Sequence, residues 1–124
     1  MPRGVVARSE HYEMQVSTLA ECGSAPGAAG GRRVGVLVSL QARGRLQVPA
    51  NPYYALLVDS ENVAYEATLE GCTPALPVRL LDAGQSARGW VSFDVPRQRG
   101  NFSFSYAPLL ASGEREETRF RLSP

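Results

Sequence analysis

The sequence predicts an all-β fold, an antiparallel β-sandwich of about seven to eight strands. Three observations predict it. The dominant hydrophobic period is two, Gly, Pro, Asn and Asp punctuate the chain at short intervals, and helical signals are poor. Residues 1–9 read as an N-terminal extension and residues 10–124 as one sandwich domain.

The first predicted strand, His11 to Leu19, sets Tyr12, Met14, Val16 and Thr18 on one face, although Leu19 weakens the alternation. The Gly- and Ala-rich stretch from Gly23 to Arg32 follows as a loop. The second strand, Arg33 to Ala42, points Val34, Val36, Val38 and Leu40 one way and Gly35, Leu37, Ser39 and Gln41 the other. Tyr53 to Val58 is nearly continuous apolar sequence and predicts a more deeply buried strand. Asp59-Ser60-Glu61-Asn62 then supplies turn residues before Val63-Ala64-Tyr65, so the two segments predict a hairpin. Only Ala64 to Glu70 or Ala75 to Leu81 could hold a helical turn or two, and Pro74 and Pro77 limit the second. Ala87 to Val95 turns Val91, Phe93 and Val95 inward against Trp90, Ser92 and Asp94, and Pro96 ends the ladder because it has no N–H to donate. Phe102, Phe104 and Tyr106 share one face of the next strand. Phe120 and Leu122 share one face of the last, Glu117 to Leu122. An open barrel is the alternative architecture.

Thirteen basic and twelve acidic residues leave a formal charge of +1 over 124 residues. That balance supplies no field for gripping nucleic acid or an anionic membrane. No stretch approaches the roughly 20 consecutive apolar residues of a membrane helix, so no transmembrane segment is expected. The basic start, Met1 to Arg8, holds the short apolar run Val5-Val6-Ala7, well below a signal-peptide core of about 7–15 residues. Either the protein stays inside or a leader has been trimmed, and trimming is the expectation.

Cys22 and Cys72 are the two cysteines. They suit either a disulfide in an exported domain or two unrelated thiols in a cytosolic one. Each lies in turn-like sequence, Cys22 before Gly23-Ser24 and Cys72 between Gly71 and Thr73-Pro74. Such positions favour a staple tying loops to a sheet, and a Cys22–Cys72 bond is the expectation. It would stabilise the fold by roughly 4 kcal/mol on the chain-entropy model, a large share of a total of about 5–15 kcal/mol.

Three stretches carry a resemblance to a known family: Val34 to Gln41, Pro52 to Tyr65, and Leu81 to Pro96 followed by Phe102-Ser-Phe104-Ser-Tyr106. Together they resemble the bacterial exported domain catalogued as domain of unknown function 4352. The resemblance covers roughly residues 12–122. It implies an immunoglobulin-like sandwich of the kind found in lipoproteins and secreted proteins, similar in fold to a secreted mycobacterial antigen. The family's leader with its lipidated Cys, and the Ser/Thr/Asn-rich tether after it, are not in this sequence. Cys22 follows a strand, and a bridge to Cys72 would also bar it from carrying lipid.

Catalytic and metal chemistry find little support. His11 is the sole imidazole, and strand parity would send it and Glu10 to opposite faces, so it reads as a surface residue of an edge strand. With Cys22 and Cys72 it could supply a bare three zinc ligands. Glu114, Glu116 and Glu117 read as a solvated turn. No phosphate loop or Gly-x-Ser-x-Gly elbow is present. No catalytic residue, metal or cofactor is therefore expected. Every basic residue is Arg, a bias that suits a GC-rich genome. Arg97, Arg99, Arg119 and Arg121 could form an anion-attracting patch, but charge guarding a sheet edge explains them better.

Trp90 faces outward by parity unless a bulge follows Gly89. With Tyr53 or Tyr54 it could form a recognition platform; alternatively it covers a sheet face beneath a loop. The candidate binding surface is thus Trp90, Tyr53, Tyr54, Arg97 and Arg99, with the Gly23–Arg32 and Arg97–Asn101 loops. The function expected is a non-enzymatic exported or cell-envelope module that binds a protein or an envelope component, or serves a structural role. The alternatives are an intracellular accessory or assembly subunit with free thiols and, further off, a small hydrolase uniting His11 with a Ser or a carboxylate.

Overall fold

The computed structural model describes residues 5–24, 31–68, 70–96, 101–110 and 112–122. These residues form eleven strands: β1 (Val5–Arg8), β2 (Tyr12–Val16), β3 (Ala20–Ser24), β4 (Arg32–Ala42), β5 (Val48–Ala50), β6 (Ala55–Val58), β7 (Ala64–Thr68), β8 (Arg79–Leu81), β9 (Ser86–Val95), β10 (Phe102–Tyr106) and β11 (Thr118–Leu122). The order of antiparallel pairing is β1-β2-β4-β9-β7-β6-β10-β11, with β3 also on β4 and β5 and β8 forming a separate ribbon. Strand β7 turns the corner between layers, its start paired to β6 and its end, Ala67 and Thr68, to β9. Strand β1 comes near β11. The result is an antiparallel sandwich on the way to closing as a barrel.

The long alternating segments fold as their pattern dictates. Val34, Val36, Val38 and Leu40 of β4, Val91, Phe93 and Val95 of β9, and Phe102, Phe104 and Tyr106 of β10 are all buried. Between the layers Phe93 meets Phe104 edge-on at 6.2 Å, and Phe104 packs on Phe120. Tyr12 and Tyr106, both fully buried, also meet edge-on. Their hydroxyls are satisfied by backbone: Tyr12 donates to the Glu116 carbonyl at 2.6 Å, and Tyr106 donates to that of Pro49 at 2.6 Å and accepts from the Asn51 N–H. Buried phenols need such partners.

Several expectations need correction. Val5–Arg8, set apart as part of an extension, pairs with β2 from Val5↔Val16 to Arg8↔Glu13. The first strand is interrupted at Ser17–Leu19, so β2 and β3 lie end to end along β4. At the break the Ser17 hydroxyl accepts from the Leu37 N–H and its own N–H donates to the Leu37 carbonyl, which keeps the ladder satisfied. Tyr53–Val58 is not a deeply buried strand. Pro52–Tyr54 is a single 3-10 turn, capped by the Asn51 side chain and started by Pro52, and Leu56 in β6 is exposed. The weak helical candidates resolve as β7 and as an extended segment ending in β8. The hairpin between β6 and β7 turns on Asp59, which accepts from the Glu61 and Val63 N–H groups, with Asn62 in the left-handed region (φ 66°).

Candidate functional site

Among the described residues, three places hold side chains with chemical or recognition potential. The first is the outer face of β4 and β9. Their register runs without a bulge from Arg32↔Val95 to Gln41↔Ser86, so parity holds and Trp90 stands on the outer face, half-buried, opposite Leu37. Cys22, at a register shift in β3, is bonded to Cys72, 50 residues later, with Cα atoms 5.1 Å apart. No free cysteine remains. The bridge and the indole meet over Gly35: a Cβ there would lie 2.8 Å and 2.9 Å from the two sulfurs and 3.1 Å from Trp90 Cε3. This bond is unlike the inter-sheet disulfide of antibody domains, because it lies outside the core and ties β3 to the segment after β7.

That segment runs along β9. The Trp90 N–H donates to the Pro74 carbonyl, the Leu76 N–H donates to the Trp90 carbonyl, and the Cys72 N–H donates to Ser92 Oγ. Leu76 drops into the core. It can pass because residue 89 is glycine: a Cβ on Gly89 would sit 2.4 Å from Leu76 N.

The second place is the end of the β5–β8 ribbon and the 3-10 turn. Tyr53, Val78 and Leu80 are each more than half exposed, and Leu80 lies opposite Pro49 in the ribbon. Tyr54, in contrast, is half-buried, edge-on to Tyr106 and beneath the Arg115 guanidinium. No ring contact among the described residues joins Trp90 to Tyr53 or Tyr54. Arg97 and Arg99 lie outside the described residues, as do most of the two loops expected to carry binding.

The third place is His11. It is not on an edge strand: Glu10 and His11 form the bend between β1 and β2, where strand parity does not apply. The imidazole is only 14% exposed and faces Glu116, itself 17% exposed, with Nε2 to Oε2 at 3.8 Å. Glu116 therefore leaves the solvated turn expected for it. Its Oε1 accepts from Ser9 Oγ at 2.7 Å and from the His11 N–H at 3.3 Å. Gly44 closes the other side, where a Cβ would stand 3.1 Å from His11 Nδ1. A hydrolase needs its base in contact with the nucleophile. Here the Ser9 hydroxyl bonds to the carboxylate and not to the imidazole, so the order of groups is wrong for a triad. Sequence reasoning missed this group because it joins positions 105 apart; the turn-forming Ser9-Glu10 pair was the available signal.

No protein-family model matches the chain, and no curated protein matches it by sequence. The resemblance to domain of unknown function 4352 thus stays a resemblance. Solved structures do match. One is ycdA, a presumed lipoprotein of Bacillus subtilis, with a TM-score of 0.80 at 13% identity. The match covers 95% of this chain but 38% of that one, so this chain spans well under half of ycdA. The yjhA protein of Bacillus subtilis aligns at a TM-score of 0.70 and 15% identity over 98% of both chains. The secreted protein MPT63 of Mycobacterium tuberculosis aligns at 0.65 and 15% identity, over 98% of this chain and 92% of its own. At such identities the shared property is the fold. Among the described residues no helix is long and apolar enough to cross a membrane.

Proposed function

We propose that this chain is a non-enzymatic module of the cell envelope or the extracellular space, and that it works as a rigid binding or structural domain. The observation that carries the reading is the Cys22–Cys72 bridge, a bond that persists in oxidising compartments and is rare in the cytosol. Fold likeness to a secreted protein and to a presumed lipoprotein supports the same compartment. The absence of a nucleophile–base pair at His11, the one imidazole, supports a role other than hydrolysis. Contact with a protein or envelope partner is assigned to the exposed apolar residues Tyr53, Val78 and Leu80, at the 3-10 turn and about the β5–β8 ribbon, where the Tyr106 hydroxyl holds Pro49 and Asn51.

The test is to quench growing source cells in acid, alkylate free thiols, fractionate, and weigh the peptides bearing Cys22 and Cys72. A bridged, unalkylated pair in the envelope or medium is the expected result. Alkylated cysteines in the cytosolic fraction would overturn the reading.

A further inference from the structure

We propose that Glu10, His11 and Glu116 form a binding site for a first-row divalent cation, with zinc the best match. One ligand atom from each, an imidazole nitrogen and two carboxylate oxygens, lies within 4.8 Å of the others. This is a mixed nitrogen–oxygen set, the kind that suits zinc and its neighbours and not calcium or magnesium, which take oxygen alone. Around a tetrahedral zinc with bonds of about 2.0–2.1 Å the ligand atoms stand about 3.3 Å apart. Nε2 of His11 and Oε2 of Glu116 are at 3.8 Å, so a closure of about half an ångström suffices for that pair. Glu10 is exposed and sits on the bend, free to swing its carboxylate in.

The surroundings fit a ligand set better than a salt bridge. Glu116 offers only one oxygen toward His11; the other is committed to Ser9 and to the His11 N–H, which fixes the carboxylate's orientation as an outer-shell partner does at metal sites. No arginine among the described residues pairs with Glu10 or Glu116. Arg8 and Arg43, the nearest in sequence to the bend and to Gly44, both turn to Glu13. Two neighbouring carboxylates, neither paired with an arginine among the described residues, attract a divalent ion. The sole imidazole lies in this group and both cysteines are bridged, so no competing zinc set of imidazole or thiolate exists in the chain.

The experiment titrates zinc into the oxidised full chain, followed by calorimetry and by proton NMR of the one imidazole. Expected are one equivalent bound with roughly micromolar affinity, and movement of the imidazole lines with the same saturation curve. His11→Ala should weaken binding at least about 100-fold, and Glu116→Gln and Ser9→Ala about 10- to 100-fold. Should Glu116→Gln fail to fold, Glu10→Gln at an exposed position serves instead, with a loss of about tenfold. Imidazole lines that stay still while zinc binds, equal affinity in His11→Ala or Glu10→Gln, or no binding below about 1 mM would each overturn the site.

Discussion

Removing the bridge by the double substitution Cys22→Ala and Cys72→Ala isolates its contribution to stability. The bond closes a loop of 50 residues, and the chain-entropy relation gives the unfolded state a loss of about 14 cal/mol/K on closing such a loop, or about 4 kcal/mol at 25 °C. Unfolding entropy near 2.1 cal/mol/K per residue implies about 260 cal/mol/K for a chain of this length, so the melting temperature should fall by about 15 °C. Calorimetry at neutral pH, with urea unfolding as the second measurement, reads both quantities. A chain-entropy effect also raises the urea m-value of the variant, because its unfolded state is no longer compacted by the bond. A loss below about 1.5 kcal/mol with an unchanged m-value would refute the reasoning. It would mean that β3 and the Cys72–Leu76 segment are held without help from the bond.

Three further outcomes are expected. Gly89→Ala drives a methyl into the Leu76 backbone at 2.4 Å, which must displace the segment from β9; a loss of about 2–3 kcal/mol with slower-quenched, more exposed Trp90 emission is expected, and a loss below about 0.5 kcal/mol would show that the segment yields freely. Tyr106→Phe strips one donor and one acceptor from a fully buried ring and leaves the Pro49 carbonyl and the Asn51 N–H without it, at a cost of about 1–3 kcal/mol by urea unfolding. Stability should also fall in strong base: burial raises the Tyr12 phenol from 10.0 to about 12 and raises that of Tyr106 in the same direction. The folded state keeps these protons where the unfolded chain sheds them, so the contribution is full below pH 10 and is lost as the pH rises through 12. For Tyr12 the loss is on the order of 2–3 kcal/mol, measured by urea midpoints at pH 8, 10 and 11.5, and a flat profile would contradict it.

The parts of the fold legible in the sequence are those where one face is buried and the other wet over many residues. Strands β4, β9 and β10 announce themselves because an error of one residue would move every Val and Phe to solvent. Shorter pieces carry no such signal. Val48-Pro49-Ala50 and Arg79-Leu80-Leu81 offer three residues each, and only their mutual pairing makes them strands. Tyr53–Val58 misled through hydrophobicity alone: Asn51-Pro52 is a cap and a first helical residue, and it turns Tyr53 outward before β6 begins. Parity placed Trp90 on the outer face, yet could not say what lies beside it, since that depends on Gly35, Cys22 and Cys72 meeting from three separate segments. At His11 parity was the wrong tool, because a bend has none.

The location of the bridge follows from how unevenly the sandwich is supported. Strand β4 is hydrogen-bonded along both sides, to β2 and β3 on one and to β9 on the other. Strand β3 has β4 alone, and Gly71–Leu76 has only a few bonds to Trp90 and Ser92. Edges with so few partners open locally at small free energy, well before the core does. Joining the two across the outer face of Gly35 makes each a brace for the other, and any opening of β3 must then pull against Leu76, which is anchored in the core. A bond spent on the core, as in antibody domains, would reinforce what Val36, Phe93 and Phe104 already hold. Placed outside, it stiffens the two elements that the core leaves least supported, β3 and the Gly71–Leu76 segment.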